Sequence, residues 1–184
     1  MITAERARAV RLLALDVDGV LTDNGIYLGP IAGDRVELKR FDIQDGLAHT
    51  LLRFTDIDVA WVSGRHSDAT TLRASELRVS TVLQLPKAAK LPAMEQLLGE
   101  RGLAWSQVAF VGDDLADLPV LRRAGLPIAV ANAVDEVKAV AAYVTRTAGG
   151  HGAVRDAIEA ILRARGEWES AIARYLTERG EPAA

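Results

Sequence analysis

The sequence contains no cysteine. This absence excludes disulfide bonds, thiolate nucleophiles and cysteine zinc sites, and it leaves the redox compartment undecided. No apolar run approaches the roughly 18 to 20 residues that a membrane-spanning helix needs, and residues 1–8 lack the apolar core of a signal peptide. The net charge of −3 provides no broad basic surface for nucleic acid. We therefore expect a cytoplasmic protein without membrane or nucleic-acid partners.

Apolar segments of strand length alternate with amphipathic segments of helical length along the chain. This alternation predicts an α/β fold with a doubly wound, mainly parallel sheet that is covered by helices on both faces. A length of 184 residues and a hydrophobic content of 49% suffice for one sizeable core, so we expect a single domain, 1–184. Strands are expected at 11–17, 57–62, 80–83, 108–111, 127–130 and 143–145, and helices at 45–54, 68–77, 87–101, 117–123, 133–142, 154–165 and 167–179.

A β-hairpin is expected early in the chain. Segments 25–29 and 35–41 flank Pro30 and Gly33, which are typical turn residues. The second segment alternates apolar and charged residues, as a half-exposed strand does. The hairpin is therefore predicted at about 25–41.

A glycine-rich segment, Gly149 to Gly152, precedes Arg155 and the last two predicted helices. Backbone N–H groups at the start of a helix can bind an anion, although a flexible loop with a surface arginine is an equally good interpretation. The tail and its helices are expected to occupy about 149–180, and the residues from Glu181 onward to be frayed.

The segment Asp16-Val17-Asp18 places two carboxylates at the end of an apolar strand. Because strand side chains alternate between faces, both carboxylates are expected to point the same way. Two like charges at that distance repel unless a cation lies between them, and Mg²⁺ prefers oxygen ligands. A carboxylate beside such a cation can also act as a nucleophile. The segment therefore predicts a metal-dependent phosphoryl-transfer site.

Other polar residues follow predicted strands at the same edge of the sheet, where open α/β sheets bind their ligands. Ser63 could instead cap the next helix, and the acids after the fourth apolar strand could cap a helix and favour its dipole. A lysine after the short third strand could be a solvated surface residue, and spacing does not decide between the two lysines there. These residues are Ser63, Arg65, Asp113, Asp114, Lys87 and Lys90.

As a set, these residues resemble the motifs of the haloacid dehalogenase superfamily, whose fold is Rossmann-like. The first motif matches Asp16-Val17-Asp18, the second Ser63, the third Lys90, and the fourth Asp113-Asp114. The resemblance implies that Asp16 is the nucleophile of an aspartyl-phosphate intermediate and that Asp18 is the general acid and base. It also implies that Mg²⁺ is held by Asp16, the backbone carbonyl of Asp18, and Asp113, and that Ser63 and Lys90 hold the phosphoryl group.

Only 44 residues separate Asp18 from Ser63, which is similar to the branch of this superfamily that lacks a cap domain. That resemblance implies hydrolysis of 3-deoxy-D-manno-octulosonate 8-phosphate, with Gly64 and either Arg65 or Arg155 at the substrate. A nine-carbon sugar-acid phosphate is the alternative substrate, because His151 and Gln44 depart from the pattern of this branch. A non-catalytic assembly subunit is the alternative from another class of function.

The capless branch also implies a homotetramer. In such an assembly the hairpin closes against neighbouring subunits and excludes water from the site, as a cap would otherwise do. The glycine-rich tail before Arg155 is similar to one that reaches the active site of a neighbouring subunit.

Overall fold

The computed structural model describes residues 1–181, so all but the first of the residues expected to be frayed, namely 182–184, lie outside the described residues. Its strands are β1 (Leu12–Leu15), β2 (Tyr27–Ile31), β3 (Asp34–Leu38), β4 (Asp58–Ser63), β5 (Thr81–Gln84), β6 (Val108–Gly112), β7 (Leu126–Ala129) and β8 (Tyr143–Val144). Six of them form one parallel sheet in the order β5-β4-β1-β6-β7-β8. The other two, β2 and β3, form a separate antiparallel hairpin.

The helices are α1 (Ala4–Ala9), α2 (Ile43–Leu52), α3 (Asp68–Glu76), α4 (Lys90–Arg101), α5 (Leu118–Leu121), α6 (Asp135–Val140), α7 (Ala153–Arg165) and α8 (Trp168–Glu178). One contacting group is formed by α1, α2, α7 and α8 and another by α4, α5 and α6, whereas α3 contacts β3. This arrangement confirms the predicted α/β fold with a mainly parallel sheet and a small hairpin.

The central strand of the sheet is β1. All four of its residues are completely buried, and β4 and β6 pair with it on either side. The register aligns Leu15 with Trp61 and with Val111. Because the three strands run parallel, the residues after Leu15, the end of β4 and the end of β6 meet at one edge of the sheet.

The structure differs from the predicted elements in several places, and the first strand, for example, ends at Leu15 rather than at 17. A short helix, α1, precedes the first strand, where the sequence indicated only a polar lead. Helix α4 begins at Lys90 rather than at 87, because Lys87 adopts a left-handed φ of 68° inside a separate 3₁₀ turn. Pro30 lies within β2, opposite Arg35, rather than in the turn. Proline is tolerated there because an edge strand can spare one backbone donor.

The hairpin exposes large apolar side chains. Tyr27, Leu28, Ile31 and Leu38 are each more than half exposed, with values of 61%, 57%, 58% and 56%. At its base, an antiparallel bridge between Thr22 and Phe41 ties the hairpin to the loop after β1. Among the helices of residues 1–181, none combines the length and the apolar character that crossing a membrane requires.

Candidate active site

A buried cluster of carboxylates and one lysine lies at the ends of β1 and β6. Nζ of Lys90 is 2.6 Å from Oδ1 of Asp16 and 2.7 Å from Oδ1 of Asp117. The other oxygen of Asp117 accepts hydrogen bonds from the backbone N–H groups of Asp113 (3.0 Å) and Asp114 (3.4 Å). The first turn of α4 and the turn after β6 thus position the side chains around Asp16, which follows β1 directly.

The titratable groups of this cluster have shifted pKa values. Burial raises the pKa of Asp16 well above its usual range, and the neighbouring Asp117 raises it further. Burial and Asp117 also raise the pKa of Asp113, to about 7. Burial opposes the charge on Lys90, but Asp16 and Asp117 outweigh it and raise the pKa of the lysine. The protein therefore holds three acids with a single ammonium group, which leaves the cluster short of positive charge.

The geometry of the acids fits a divalent cation. Asp16, Asp113 and Asp117 each offer a carboxylate oxygen within 4.8 Å of the others. Oδ1 of Asp113 is buried and has no hydrogen-bond partner among the described residues. An unpaired buried carboxylate oxygen is costly, and oxygen ligands of this kind suit Mg²⁺. Two of the expected ligands, Asp16 and Asp113, are brought together here, whereas the side chain of Asp18 lies outside the cluster.

The side chain of Asp18 contacts a second lysine. Nζ of Lys39, just after β3, is 2.6 Å from Oδ1 of Asp18, and an Arg65 nitrogen lies 4.0 Å from Oδ2. Asp18 nevertheless lines the same cleft of about 250 Å³ as the acidic cluster, together with Gly64 and Arg65. We call this cleft the active-site cleft.

The residues at the end of β4 lie beside the active-site cleft. The hydroxyl of Ser63 is buried and donates a hydrogen bond of 3.0 Å to the carbonyl of Arg65, so it shapes the turn into α3. A side chain at Gly64 would collide with Ala88, and Cε of Lys90 is the next neighbour. Glycine at 64 therefore allows the start of α4 to approach β4. Of the two candidate lysines, Lys90 enters the acidic cluster, whereas Lys87 is exposed.

Arg65 is held by a residue of the hairpin. Both of its terminal nitrogens contact the carboxylate of Glu37, which also accepts a hydrogen bond of 2.6 Å from the hydroxyl of Ser67. The hydrogen bonds from Arg65 lower the pKa of Glu37 to about 2. One edge of the guanidinium is thus occupied, and any second anion must approach from another edge.

Arg155 lies apart from the active-site cleft of the described chain. Its backbone N–H donates a hydrogen bond of 2.7 Å to Asp45, and its guanidinium lies 5.1 Å above the ring of Trp168. It lines a different cavity of about 670 Å³ with Gln44 and His151. The structure therefore does not bring Arg155 together with Arg65.

The glycine-rich segment packs against residues 16–24 of its own chain, which follow β1 and which we call the catalytic loop. The backbone N–H of Gly150 donates a hydrogen bond of 3.2 Å to the carbonyl of Val20, and a side chain at Gly149 would overlap the carbonyl of Gly19. The expectation that the tail reaches the active site of a neighbouring subunit stays a prediction. Helix α7, which follows, is part of the core.

Sequence reasoning missed Lys39, Glu37, Asn24 and Asn132. Nδ2 of Asn24 lies 3.4 Å from Oδ2 of Asp113, and the amide of Asn132 contacts the glycine-rich segment. The charged positions of the alternating pattern in 35–41 carried a signal for Glu37 and Lys39. The same pattern predicts a half-exposed strand, whose charged residues face solvent.

Comparisons with known proteins agree with this geometry. Residues 61–158 match the model of the haloacid dehalogenase-like hydrolase family. The 3-deoxy-D-manno-octulosonate 8-phosphate phosphatase of Escherichia coli K12 is 41% identical over 166 residues, which cover 90% of this chain and 86% of that protein.

Two solved structures of the same kind of phosphatase are also similar. The enzyme from Moraxella catarrhalis, in complex with magnesium, phosphate and KDO, has a TM-score of 0.87 at 37% identity and covers 94% of this chain and 97% of that one. The cobalt-bound form from Haemophilus influenzae has a TM-score of 0.80 at 36% identity and covers 89% and 93%. The similarity therefore extends over nearly the whole chain.

Proposed function

The chain belongs to the haloacid dehalogenase-like hydrolase family, and on this premise we propose that it is a Mg²⁺-dependent phosphatase of 3-deoxy-D-manno-octulosonate 8-phosphate. The observation that carries the proposal is the contact of 2.6 Å between Lys90 and Asp16 within a buried acidic cluster. A carboxylate beside a fixed ammonium group and a cation site is suited to attack phosphorus, since the positive charges offset those of the phosphoryl oxygens. The similarity to phosphatases of this sugar acid supports the substrate.

In the first step, a carboxylate oxygen of Asp16 forms a bond to phosphorus while the bond from phosphorus to the sugar oxygen breaks. Asp18 gives a proton to that oxygen, so the sugar acid leaves as an alcohol. Lys90 holds the phosphoryl oxygens together with Ser63, whose hydroxyl turns from the carbonyl of Arg65 to donate to one of them. When bound by Asp16, Asp113 and the carbonyl of Asp18, Mg²⁺ supplies positive charge that offsets the phosphoryl group.

In the second step, water attacks the phosphorus of the aspartyl-phosphate. Asp18, now a carboxylate, takes a proton from this water, and the bond between phosphorus and Asp16 breaks. Inorganic phosphate leaves, Asp16 is again a carboxylate, and Asp18 is again protonated. Asp117 takes no part in bond making; it fixes Lys90 and the backbone of the turn after β6.

The carboxylate of the sugar acid requires its own cation. We assign this role to Arg65, because it lines the active-site cleft with Gly64, whereas Arg155 lies in another cavity of this chain. The edge of Arg65 that Glu37 does not occupy is the one available to the substrate.

The proposal includes a single domain, 1–184, that assembles as a homotetramer in the cytoplasm. The exposed apolar side chains of the hairpin support the assembly, since Tyr27, Ile31 and Leu38 lie on one face of it and form an exposed apolar patch. In the tetramer this surface would close against a neighbouring subunit.

The test is phosphate release from a panel of phosphorylated sugars, with and without Mg²⁺, with Asp16→Asn as the inactive control. The panel contains eight- and nine-carbon keto-deoxy acids and simple hexose phosphates. Preference for the eight-carbon acid supports the proposal, and preference for a nine-carbon acid changes the substrate but keeps the mechanism. No release by the folded, Mg²⁺-loaded protein would favour a non-catalytic assembly subunit.

A further inference from the structure

The two aspartates of the Asp16-Val17-Asp18 segment are each paired with a different lysine. Lys90, from α4, contacts Asp16, and Lys39, just after β3, contacts Asp18; both Nζ to Oδ1 distances are 2.6 Å. The proposed mechanism uses Lys90 at the phosphoryl group, but it assigns nothing to Lys39. The second pair joins the base of the hairpin to the residue that serves the leaving group.

The ammonium group of Lys39 is enclosed by protein. Its side chain is 0% exposed, although lysine is almost never buried without a partner. Besides Asp18, its contacts are the hydroxyl of Thr70 at 3.4 Å and a carboxylate oxygen of Glu37 at 3.7 Å. Two carboxylates thus compensate one buried cation, and Asp18 is the nearer of them.

These contacts restrict the side chain of Lys39 from three directions. Thr70 belongs to α3, and Glu37 is itself fixed by Arg65 and Ser67. A lysine held in this way has lost the rotamer freedom of a surface lysine, so it offers a fixed charge to its partner. On its other side, the side chain of Asp18 is 21% exposed to the cleft, and the cations that contact it among the described residues are Lys39 and the more distant Arg65.

We propose that Lys39 is a positioning residue that holds the carboxyl group of Asp18 toward the leaving-group oxygen. The proposal rests on the proposed function, in which Asp18 delivers a proton to that oxygen as the bond to phosphorus breaks. Among the described residues, Lys39 contacts Asp18, Glu37 and Thr70 but neither Asp16 nor Asp113, which are the carboxylates of the nucleophile and the metal site. Its loss should therefore impair protonation of the leaving group and spare attack on phosphorus.

The nature of the leaving group separates these two effects. A sugar alkoxide is a poor leaving group and depends on proton transfer, whereas p-nitrophenolate leaves without a proton. We compare kcat on 3-deoxy-D-manno-octulosonate 8-phosphate with kcat on p-nitrophenyl phosphate for the wild type, Lys39→Met and Lys90→Met. Lys90→Met is the matched control, because it makes the same chemical change in the other lysine–aspartate pair.

For Lys39→Met we expect kcat to fall at least about tenfold more on the sugar phosphate than on the aryl phosphate. For Lys90→Met we expect similar losses on both substrates, because the phosphoryl group is common to them. Lys39→Arg, which keeps a cation, should restore part of the loss on the sugar phosphate. Equal losses on both substrates for Lys39→Met would overturn the proposal and leave Lys39 with a structural role.

Thermal unfolding of each variant shows whether the fold persists. If Lys39→Met does not fold, Thr70→Val takes its place, because it removes one contact of Lys39 at nearly constant volume. We expect Thr70→Val to lower kcat selectively on the sugar phosphate, but by less than Lys39→Met would. No selective loss in Thr70→Val would then overturn the proposal. A wild type that hydrolyses neither substrate would contradict the proposed function itself, which is a separate outcome.

Discussion

The side-chain carbonyl of Asn132 accepts a hydrogen bond of 2.7 Å from the backbone N–H of Gly149. The amide nitrogen of the same side chain donates a hydrogen bond of 3.2 Å to the carbonyl of Gly19, in the loop that follows Asp18. Asn132 therefore links the glycine-rich segment to the catalytic loop, and these two segments approach each other more closely than any side chain at 149 would allow.

Replacing Gly149 by alanine should destabilise the protein and impair the site together. The new methyl group would meet the carbonyls of Gly19 and Thr22, which are backbone atoms and cannot move alone. We expect the free energy of unfolding to fall by about 2 kcal/mol or more, as measured by urea denaturation, with a parallel loss of Mg²⁺-dependent phosphate release. Gly99→Ala is the control, because that glycine lies in α4 with open space around it, and alanine there should be neutral or stabilising. Equal stability of the two variants would contradict the tight contact.

Neutralising Asp113 should raise the stability of the protein without Mg²⁺ and reduce the stabilisation that Mg²⁺ provides. In EDTA, Asp113→Asn removes one of three crowded buried carboxylates, so the variant should melt at a higher temperature than the wild type. With Mg²⁺ at a hundredfold excess over its Kd, the wild type should gain about 3 kcal/mol of stability from binding, and a tenfold weaker site should lose about half of that gain. Melting temperatures with and without Mg²⁺ measure both effects.

Asp114→Asn is the matched control for this experiment. Asp114 is the adjacent acid, but its side chain is exposed and accepts a hydrogen bond of 2.7 Å from the N–H of Leu115. We expect its Mg²⁺ response to stay closer to that of the wild type. A larger loss of Mg²⁺ stabilisation in Asp114→Asn than in Asp113→Asn would reverse the assignment of the ligand.

The site residues at the strand ends could be predicted from the sequence, because each of them directly follows an apolar segment of strand length. Asp16, Ser63 and Asp113 each come immediately after apolar segments, and a parallel sheet must bring such positions to one edge. Lys39 and Glu37 could not be predicted in the same way. Their role depends on how the hairpin folds back at its base, and an alternating strand has the same pattern whether its polar face meets water or another charged residue.

The position of the glycine-rich segment also could not be predicted from the sequence. Glycines 149 and 150 allow either a flexible loop or a close approach of two backbones, and both need the same residue type. The packing of α7 in the core, with Ala153 and Val154 fully buried, and the hydrogen bonds of Asn132 together fix the segment against the catalytic loop. The later start of α4, by contrast, had a signal in Pro92. This proline would lie in the interior of a helix that began at 87, whereas it lies in the first turn of a helix that begins at Lys90.

The substrate carboxylate should depend on Arg65 rather than on Arg155. Arg65→Met should raise KM for 3-deoxy-D-manno-octulosonate 8-phosphate by about tenfold, which is the effect of losing one hydrogen bond between charged groups. KM for p-nitrophenyl phosphate, which lacks a carboxylate, should change much less. Arg155→Met is the comparison, and KM values for both substrates should be close to those of the wild type. A rise in KM for the sugar acid in Arg155→Met alone would assign the carboxylate to Arg155 of a neighbouring subunit.

His49 provides a prediction that is independent of catalysis. It is fully enclosed between α2 and β4, where Nδ1 lies 2.8 Å from the carbonyl of Asp45 and Nε2 lies 3.1 Å from the indole nitrogen of Trp61. A carbonyl only accepts and an indole N–H only donates, so Nδ1 carries the proton and Nε2 is the acceptor. The imidazole is therefore neutral, and burial lowers its pKa to about 4.

This neutral histidine should make stability depend on pH with a definite sign. An unfolded histidine titrates near pH 6.5, so the contribution of His49 is fully present above that pH and is lost as the pH falls toward 4, by about 3 kcal/mol in all. His49→Leu leaves two buried polar groups without this partner and should cost about 1–3 kcal/mol at pH 7.5. Because leucine does not titrate, the deficit should shrink as the pH approaches 4, measured by urea denaturation in EDTA. The exposed His66→Leu is the control, and a deficit of His49→Leu that stays constant from pH 7.5 to 4.5 would show that the buried imidazole is not the group that titrates.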